Sequence, residues 1–539
     1  MPYRRGRGRS RYAAAAVLLL GTLVGCGTAQ AGGGGQVLRF ATDTQPDCLD
    51  PQVSPDDITA VIDRNIFDSL VDVTSDGTVH PWLATRWKVS PDGLVYTFTL
   101  REGVTFQDGT PLDAAAVKAT LDHAVAPATK SQYAVNLISG YREATVLDPH
   151  TVTVRLARPS ASFLQALGTP YLGIQSPTSL RENAGKLCRH LVGSGPFRFT
   201  GWKTNRSIDM VRNDAYDWGP QGSHAGPAYV RGLQIQFVPE NSVRFGMLTS
   251  GQTDVAGGLP PAEAGTLSRA SGFRLAVAQA PGGVYTAFFN SRRGPLKDER
   301  VRLALTRAVR IDQLVKSIYF GRYQRAWSPL SPATVDYDPS LAGSWRYDPA
   351  LAARLLDQAG WTGRDPQGYR TKDGRRLTLK WPYTQQLIRE QRDILGQGIQ
   401  AEARRAGIDI EYVKEDAGAF IKDIVAGNAD MHAFSFERAE PDVLRYPFAS
   451  DQTLTHGGGN VFGVRFPQLD GWLDEAARSG DPAVRAADYA KAQRYIVRHA
   501  VAMPLYVPQY LAGVSGRVSG LRFDAQSDPV FFDVRLEGS

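Results

Sequence analysis

The chain of 539 residues has three cysteines, eight histidines and five methionines. Three cysteines close at most one disulfide within the chain, so this is no disulfide-built scaffold. The histidines are scattered, and no pair has metal-ligand spacing. Signatures of catalysis are missing as well. There is no G-x-S-x-G elbow, no H-E-x-x-H, no P-loop, and no G-x-G-x-x-G after a strand. "HGGG" at His456 to Gly459 has the composition of an oxyanion-hole loop, but without a nucleophile elbow it reads as a flexible loop. Past residue 25 no apolar run approaches a membrane span. These absences point away from an enzyme and toward binding.

What is present is the composition of a soluble globular protein, 42% apolar and 21% charged, with many turn formers, 54 Gly and 33 Pro. The length predicts two or three domains. A net charge of +7 suggests nucleic acid at first sight. Five of the arginines (Arg4, Arg5, Arg7, Arg9 and Arg11) lie in the first 25 residues, which hold no acid. The rest of the chain carries no basic stripe with interleaved aromatics, so nucleic-acid binding is set aside.

That basic start precedes a short apolar run, Ala13 to Val24, as in an export signal. The run ends in Leu23-Val24-Gly25-Cys26, which resembles the bacterial lipobox. The expectation is a signal peptide over 1–25, lipidation of Cys26, and a flexible tether over 26–35. A plain signal peptide cut after Ala31 is the alternative. Lipidated, the protein would be held on the outer face of the cell membrane by its lipid alone.

Periodicity places strands and helices in alternation. "LVYTFTL" alternates at Leu94, Tyr96, Phe98 and Leu100, and "TVTVRL" at Val152, Val154 and Leu156. Asp113 is placed to cap a helix from Ala114 to about Ala124. Asp348 is the natural cap, Pro349 the first residue and Gly360 the stop of another. Val301, Leu305, Ala308 and Val309 share a face, as do Tyr489, Ala492, Ile496 and Ala500. Strands "RLTLKW", "IDIEYV" and "MPLYV" interleave with these helices, which predicts α/β lobes with largely parallel sheets.

Several blocks carry a resemblance. "NIFDSLVDVTSDGTVHPWLATRWKVSPDGLVYTFTLREGVTFQDGTPLDAAAVKAT", "VGSGPFRFTGW" with "IDMVRNDAYDW", "TAFFNSRRGPLKDERVRLALTRAVRIDQLV", "YDPALAARLLDQAGW" and "YAKAQRYIVRHAVAMPLY" occur in order. Together they are similar to the bacterial extracellular solute-binding proteins of family 5, the peptide, oligopeptide and nickel binders of ABC importers. Ser194 stands where the family's G-T-G-P-F stretch has Thr. The resemblance implies an α/β fold with two lobes, like the periplasmic binding proteins of class II, with an additional inserted domain. It divides the chain into a discontinuous lobe I (36–63, 193–284 and 504–539), an inserted domain (64–192) and lobe II (285–503). It implies a monomer that binds peptide between the lobes, needs no cofactor, and delivers its ligand to a permease and ATPase complex. Cys48 and Cys188, both in or beside lobe I, are then expected to pair in the oxidising compartment.

The family's amine-binding loop reads aromatic-small-small-acid-x-x-acid-Pro. Phe434-Ser435-Phe436-Glu437-Arg438-Ala439-Glu440-Pro441 falls on it, which puts Glu437 opposite the ligand's amino group. Dipeptide binders of the family usually have Asp there. Arg438, Phe434 and Phe436 are candidate neighbours, and Thr44 and Gln45 candidates for main-chain contacts. Read from the residues alone, Glu437 is equally an ion-pair partner of Arg438 or Arg445 on a solvated loop. A nickel or other metal chelate is the alternative ligand, with His456 its candidate residue. An exported hydrolase and a signalling receptor stand as further alternatives.

Overall fold

In the computed structural model, residues 37–456 and 458–537 are described. The signal peptide, Cys26 and the tether lie outside them. Among the described residues no helix is long and apolar enough to cross a membrane.

Two sheets organise the binding region. The first has seven strands in the spatial order Phe273–Gln279, Gln509–Ser515, Val255–Ala256, Val37–Thr42, Gly232–Phe237, Ser207–Arg212 and Phe197–Lys203. The second has four, in the order Gln324–Arg325, Ala502–Val507, Gly283–Phe289 and Met431–Phe436. The chain passes between these sheets twice. It leaves the first after Gln279 and enters the second at Gly283, then returns from Val507 to Gln509 across Pro508. A further four-stranded antiparallel sheet (Ala84–Val89, Val95–Leu100, Thr151–Leu156 and Tyr141–Asp148) belongs to the segment between Arg64 and Val192.

Alternation is realised in Val95–Leu100, where Tyr96, Phe98 and Leu100 are buried. Phe98, Val152 and Val154 join Leu38, Phe40 and Ile235 in one continuous apolar core. Helix caps follow the sequence. The Asp113 carboxylate accepts from Ala116 N at 3.1 Å and opens the helix Ala114–Val125. Asp348 accepts from Leu351 N at 2.8 Å, and Gly360 ends the following turn at φ +87°.

The expectation of largely parallel sheets is corrected. Among the strands of the described residues, parallel pairing is confined to Val37–Thr42 with its two neighbours and to Thr378–Thr384 with Asp409–Glu415. All pairs of the four-stranded crossing sheet are antiparallel. The reason is topological. Strands that carry the chain out of one sheet and back again run in opposite directions, and short hairpins such as Lys203 to Ser207 reverse it locally.

Much of the signature is scaffold. Asp68 is buried and accepts from Ser194 Oγ (2.7 Å), Trp218 Nε1 (2.9 Å) and Tyr216 Oη (3.0 Å), so three separated blocks meet on one carboxylate. Burial pushes its pKa up to about 6 against the pull of those donors. Gly195 N bonds the Ile66 carbonyl at 2.8 Å, and a Cβ on Gly193 or Gly195 would strike the Ile66 backbone. Ser194 keeps the hydroxyl that a Thr would supply.

Cys48 and Cys188 form a disulfide with Cα atoms 4.4 Å apart and a sequence separation of 140. It fastens the end of the inserted segment to the loop after the first strand, where Leu49 N also bonds the Cys188 carbonyl at 3.2 Å. So long a closed loop is expected to contribute ~2–5 kcal/mol. Reduction, or the Cys48→Ala/Cys188→Ala double variant, should lower the calorimetric melting temperature by several degrees. An unchanged melting temperature would show the bond to be energetically idle.

Candidate functional site

A cavity of about 580 Å³ lies where the 435–446 segment faces residues 132–163. Asp57, Tyr133, Arg389, Glu437, Arg438 and Glu440 are among its walls. Its far side is held by a hydrogen bond from Ala161 N to the Ala477 carbonyl at 2.9 Å, which links the two facing parts.

The strand Met431–Phe436 brings Glu437 to this place by pairing antiparallel with the crossing strand Gly283–Phe289. Gly282, the last residue before that strand, has φ +88°. A Cβ there would lie 2.5 Å from both Phe436 O and Arg438 N. The interlobe crossing and the backbone that carries Glu437 are therefore in direct contact, and only glycine permits it.

Beneath the loop, Arg392 is buried and committed. Its guanidinium donates to Tyr506 Oη (3.0 Å), Glu390 Oε2 (2.9 Å) and Ser435 Oγ (3.0 Å), and lies 4.3 Å from the Tyr285 ring centre. Tyr506 Oη donates to Glu390 at 2.5 Å. Tyr285 and Tyr506 are register partners on the two crossing strands. Arg392 thus ties both crossings to the residue two before Glu437. Just before it, Glu390 and Gln391 both hold left-handed backbone (φ 53° and 54°), which aims Arg389 at the cavity.

Charge is distributed unevenly. Arg438 lies 3.8 Å from the centre of the Tyr133 ring. Burial works against its charge, yet Tyr133, Tyr171, Asp57 and Glu440 hold its pKa above the ordinary value. Arg445 pairs with Asp474 and, at 3.0 Å, with Asp451. Glu437 is different. Among the described residues its carboxylate has no ion pair within 4 Å and no hydrogen bond. Burial, with Asp57 and Glu390 adding to it and Arg389 and Arg392 opposing, pushes its pKa up to about 8. Glu440 rises to about 7, chiefly by burial and against the pull of Arg438. Glu437 is partly exposed and lines the cavity.

The sequence-read residues divide. Glu437, Arg438 and Phe436 line the cavity together. Phe434 stacks on Phe288 at 4.1 Å and is packed on the strand. Gln45 Oε1 accepts from Asn205 N (2.5 Å) and Trp202 Nε1 (3.3 Å), and Thr44 bonds Asp43; neither lines the cavity. His456 is exposed, bonded to Thr453 Oγ1 at 2.8 Å, and also lies off the cavity wall. Glu437 is not the solvated ion-pair partner of Arg438 or Arg445. Asp57, Tyr133 and Arg389 escaped the reading of the sequence. The "REQR" run at 389–392 was the available signal for the last of these.

Comparison with known proteins agrees with this geometry. Residues 78–453 match the family described as bacterial extracellular solute-binding proteins, family 5 Middle. The chain belongs to this family. The chain is similar to the glutathione-binding protein GsiB of Escherichia coli O1:K1, 27% identical over 497 residues, which are 91% of this chain and 92% of that protein. In structure the chain is similar to NikA from Brucella suis, seen in complex with Fe(III)-EDTA (TM-score 0.81, 25% identity, 93% of this chain and 99% of that one). It is also similar to DppA from Helicobacter pylori in complex with the peptide STSA (TM-score 0.76, 27% identity, 93% and 98%). The protein is a family 5 solute-binding protein of ABC importers, an extracytoplasmic class, and it has the two-lobed α/β fold of that family.

Gly282→Ala combines left-handed strain with a backbone clash. It should destabilise the protein by ~2–4 kcal/mol in denaturant unfolding. Gly201→Ala, where nothing lies within 4 Å of the added Cβ, should stay within ~0.5 kcal/mol. Equal effects at the two sites would remove the special role given to the crossing.

Proposed function

We propose that this protein captures peptides by their free amino group at Glu437 and hands them to its permease and ATPase complex, acting as a monomer without catalysis. The observation that carries this is the unpaired Glu437 carboxylate on the wall of the cavity. A carboxylate in such a place is costly to ionise unless a cation joins it, and a peptide ammonium is that cation. Arg389, on the same cavity, is free to meet the peptide's carboxylate. Closure brings lobe II (285–503) onto lobe I (36–63, 193–284 and 504–539) and the inserted domain (64–192) about the two crossings.

The names of the relatives favour peptide-like ligands, with metal chelates as the second class. An anionic chelate such as Fe(III)-EDTA is poorly matched to an unpaired carboxylate. His456, the one residue-level argument for nickel, sits outside the cavity wall. Transport rather than signalling is the role taken here, and loss of peptide uptake on deletion of the protein is its check.

The pH dependence follows from Glu437. Ligand-free, it is largely protonated below about pH 8. With an ammonium opposite it is ionised, so binding releases a proton. Affinity for free-amine peptides should rise from pH 6 to about pH 8, then fall as the peptide amine, with an ordinary pKa of about 8, loses its own proton. Titration calorimetry in buffers of different ionisation enthalpy reads the released proton directly. Glu437→Gln should cut affinity by ~2–5 kcal/mol for free-amine peptides and far less for N-acetylated ones. The same variant should stabilise the ligand-free protein. Unfolding lets this carboxyl ionise, so native stability falls as pH rises from the ordinary 4.5 toward 8, and Gln removes that loss. Unchanged affinity in Glu437→Gln would sink the proposal.

We also take Cys26 as the lipid attachment site. Cys26→Ser should move the protein from the membrane fraction to the soluble fraction. Retention on the membrane would argue for another anchor.

A further inference from the structure

The glycine run that ends at Gly459 has the composition of a flexible loop, yet in the structure its last residue is a packing surface. Gly459 is buried, and its N–H donates to the Tyr446 carbonyl at 2.9 Å. A Cβ at this position would strike the Tyr446 ring. The next residue, Asn460, fixes the end of the loop by donating from Nδ2 to the carbonyls of Ala449 (3.1 Å) and Val464 (2.8 Å). Tyr446 is therefore seated on bare backbone.

From there a row of rings leads into the interior. Tyr446 meets Phe436 edge to face, with ring centres 4.4 Å apart. Phe436 meets Phe434 in the same manner at 4.7 Å, and Phe434 stacks on the buried Phe288. Only the outer two, Phe436 and Tyr446, line the cavity, and both are partly exposed. The inner two hold them in place.

These outer rings have room for a partner. The Tyr446 hydroxyl makes no hydrogen bond among the described residues. Burial raises its pKa against the pull of Arg438, so the hydroxyl keeps its proton and can donate it. On the facing wall Tyr133 is already covered by Arg438, but Leu137, Ile138 and Phe163 line the same cavity. Phe436 directly precedes Glu437 in the chain. In a peptide whose amine meets Glu437, the first Cβ is two bonds from the nitrogen. The side chain nearest the rings is then that of the first residue.

Resting on the peptide reading, we infer that Phe436 and Tyr446 set specificity beside the amine position, and that peptides with an aromatic first residue are the preferred class. The ligand's ring lies against Phe436 and Tyr446, with Leu137, Ile138 and Phe163 opposite. Rings already fixed by packing lose little freedom when a ligand arrives, so the apolar area they bury is turned into affinity at small ordering cost. Gly459 is a positioning residue: it sets the place of the Tyr446 ring without touching the ligand.

The experiment is titration calorimetry of the full protein, freed of carried-over ligand, with Phe-Ala, Ala-Phe, Ala-Ala and phenethylamine. Phe-Ala should bind at least about tenfold tighter than Ala-Ala, and tighter than Ala-Phe. Tyr446→Ala should cut the affinity for Phe-Ala about tenfold more than that for Ala-Ala, while Tyr446→Phe, which keeps the ring, should retain the preference. Gly459→Ala should weaken the preference by displacing the ring. Phe436→Ala should weaken it too, which keeps the test alive if one variant folds poorly. Equal affinities for Phe-Ala and Ala-Ala, or a preference that survives both Tyr446→Ala and Phe436→Ala, would overturn the aromatic wall while leaving the peptide reading intact. If no dipeptide binds but phenethylamine does, the aromatic wall stands and the peptide reading falls. If nothing binds, both fall.

Discussion

The chain crosses between its two sheets at residues 280–282 and again at Pro508, and the first crossing lies directly against the backbone of Phe436 to Arg438. Every other feature of the site depends on that contact. It fixes the height of Glu437 above the crossing strands, and it leaves no room for a side chain at Gly282. Arg392 adds the second crossing, through Tyr506, and reaches the loop through Ser435. A force on the loop is thus applied where the two lobes join. Because packed interiors deform little, a ligand drawn to Glu437 cannot move this loop without moving the crossings.

Electrostatics shows where the fold gives up stability for this arrangement. Asp68 and Arg392 are charged groups in the interior, and each has several hydrogen-bond partners. Glu437 is partly exposed on the cavity, and its carboxylate has none among the described residues. The contrast with Asp68 and Arg392 is informative, although Asp63 is also buried with neither carboxylate oxygen hydrogen-bonded among the described residues. Two successive non-glycine residues in left-handed backbone, Glu390 and Gln391, stand beside the same cavity. Unpaired charge and backbone strain gather at one place, as expected where a ligand, not the core, completes the interactions.

What was legible in the sequence was local. Asp113, Asp348 and Gly360 declare their helix ends because a cap is an interaction over three or four residues. The alternation in Val95–Leu100 gives its buried face directly. Glu437 was reachable because the loop around it is a short motif on one segment. Strand direction was not legible, since it depends on which sheet the chain enters next. Nor were Asp57, Tyr133 and Arg389, which come from three distant segments and whose types are ordinary in a helix start, a short helix and a charged turn. Gln45 was expected to offer main-chain contacts to a ligand; its side chain bonds Asn205 and Trp202, and the residue does not line the cavity.

The segment between Arg64 and Val192 then has a physical part in the cavity. Tyr133 sits at the start of the short helix Ala134–Leu137, wedged edge-on against Tyr171 at 4.7 Å, and its face receives Arg438. That contact takes up the loop's own cation, so Arg438 stacks on a ring instead of pairing with the carboxylate of Glu437 next to it. Without the ring, the guanidinium would be free to swing toward its neighbour, and the pair would need no ligand. With Arg438 held over the Tyr133 ring, Glu437 stays uncompensated, as the proposed capture of an amine requires. The aromatic contact across the cavity and the unpaired acid are therefore two halves of one arrangement.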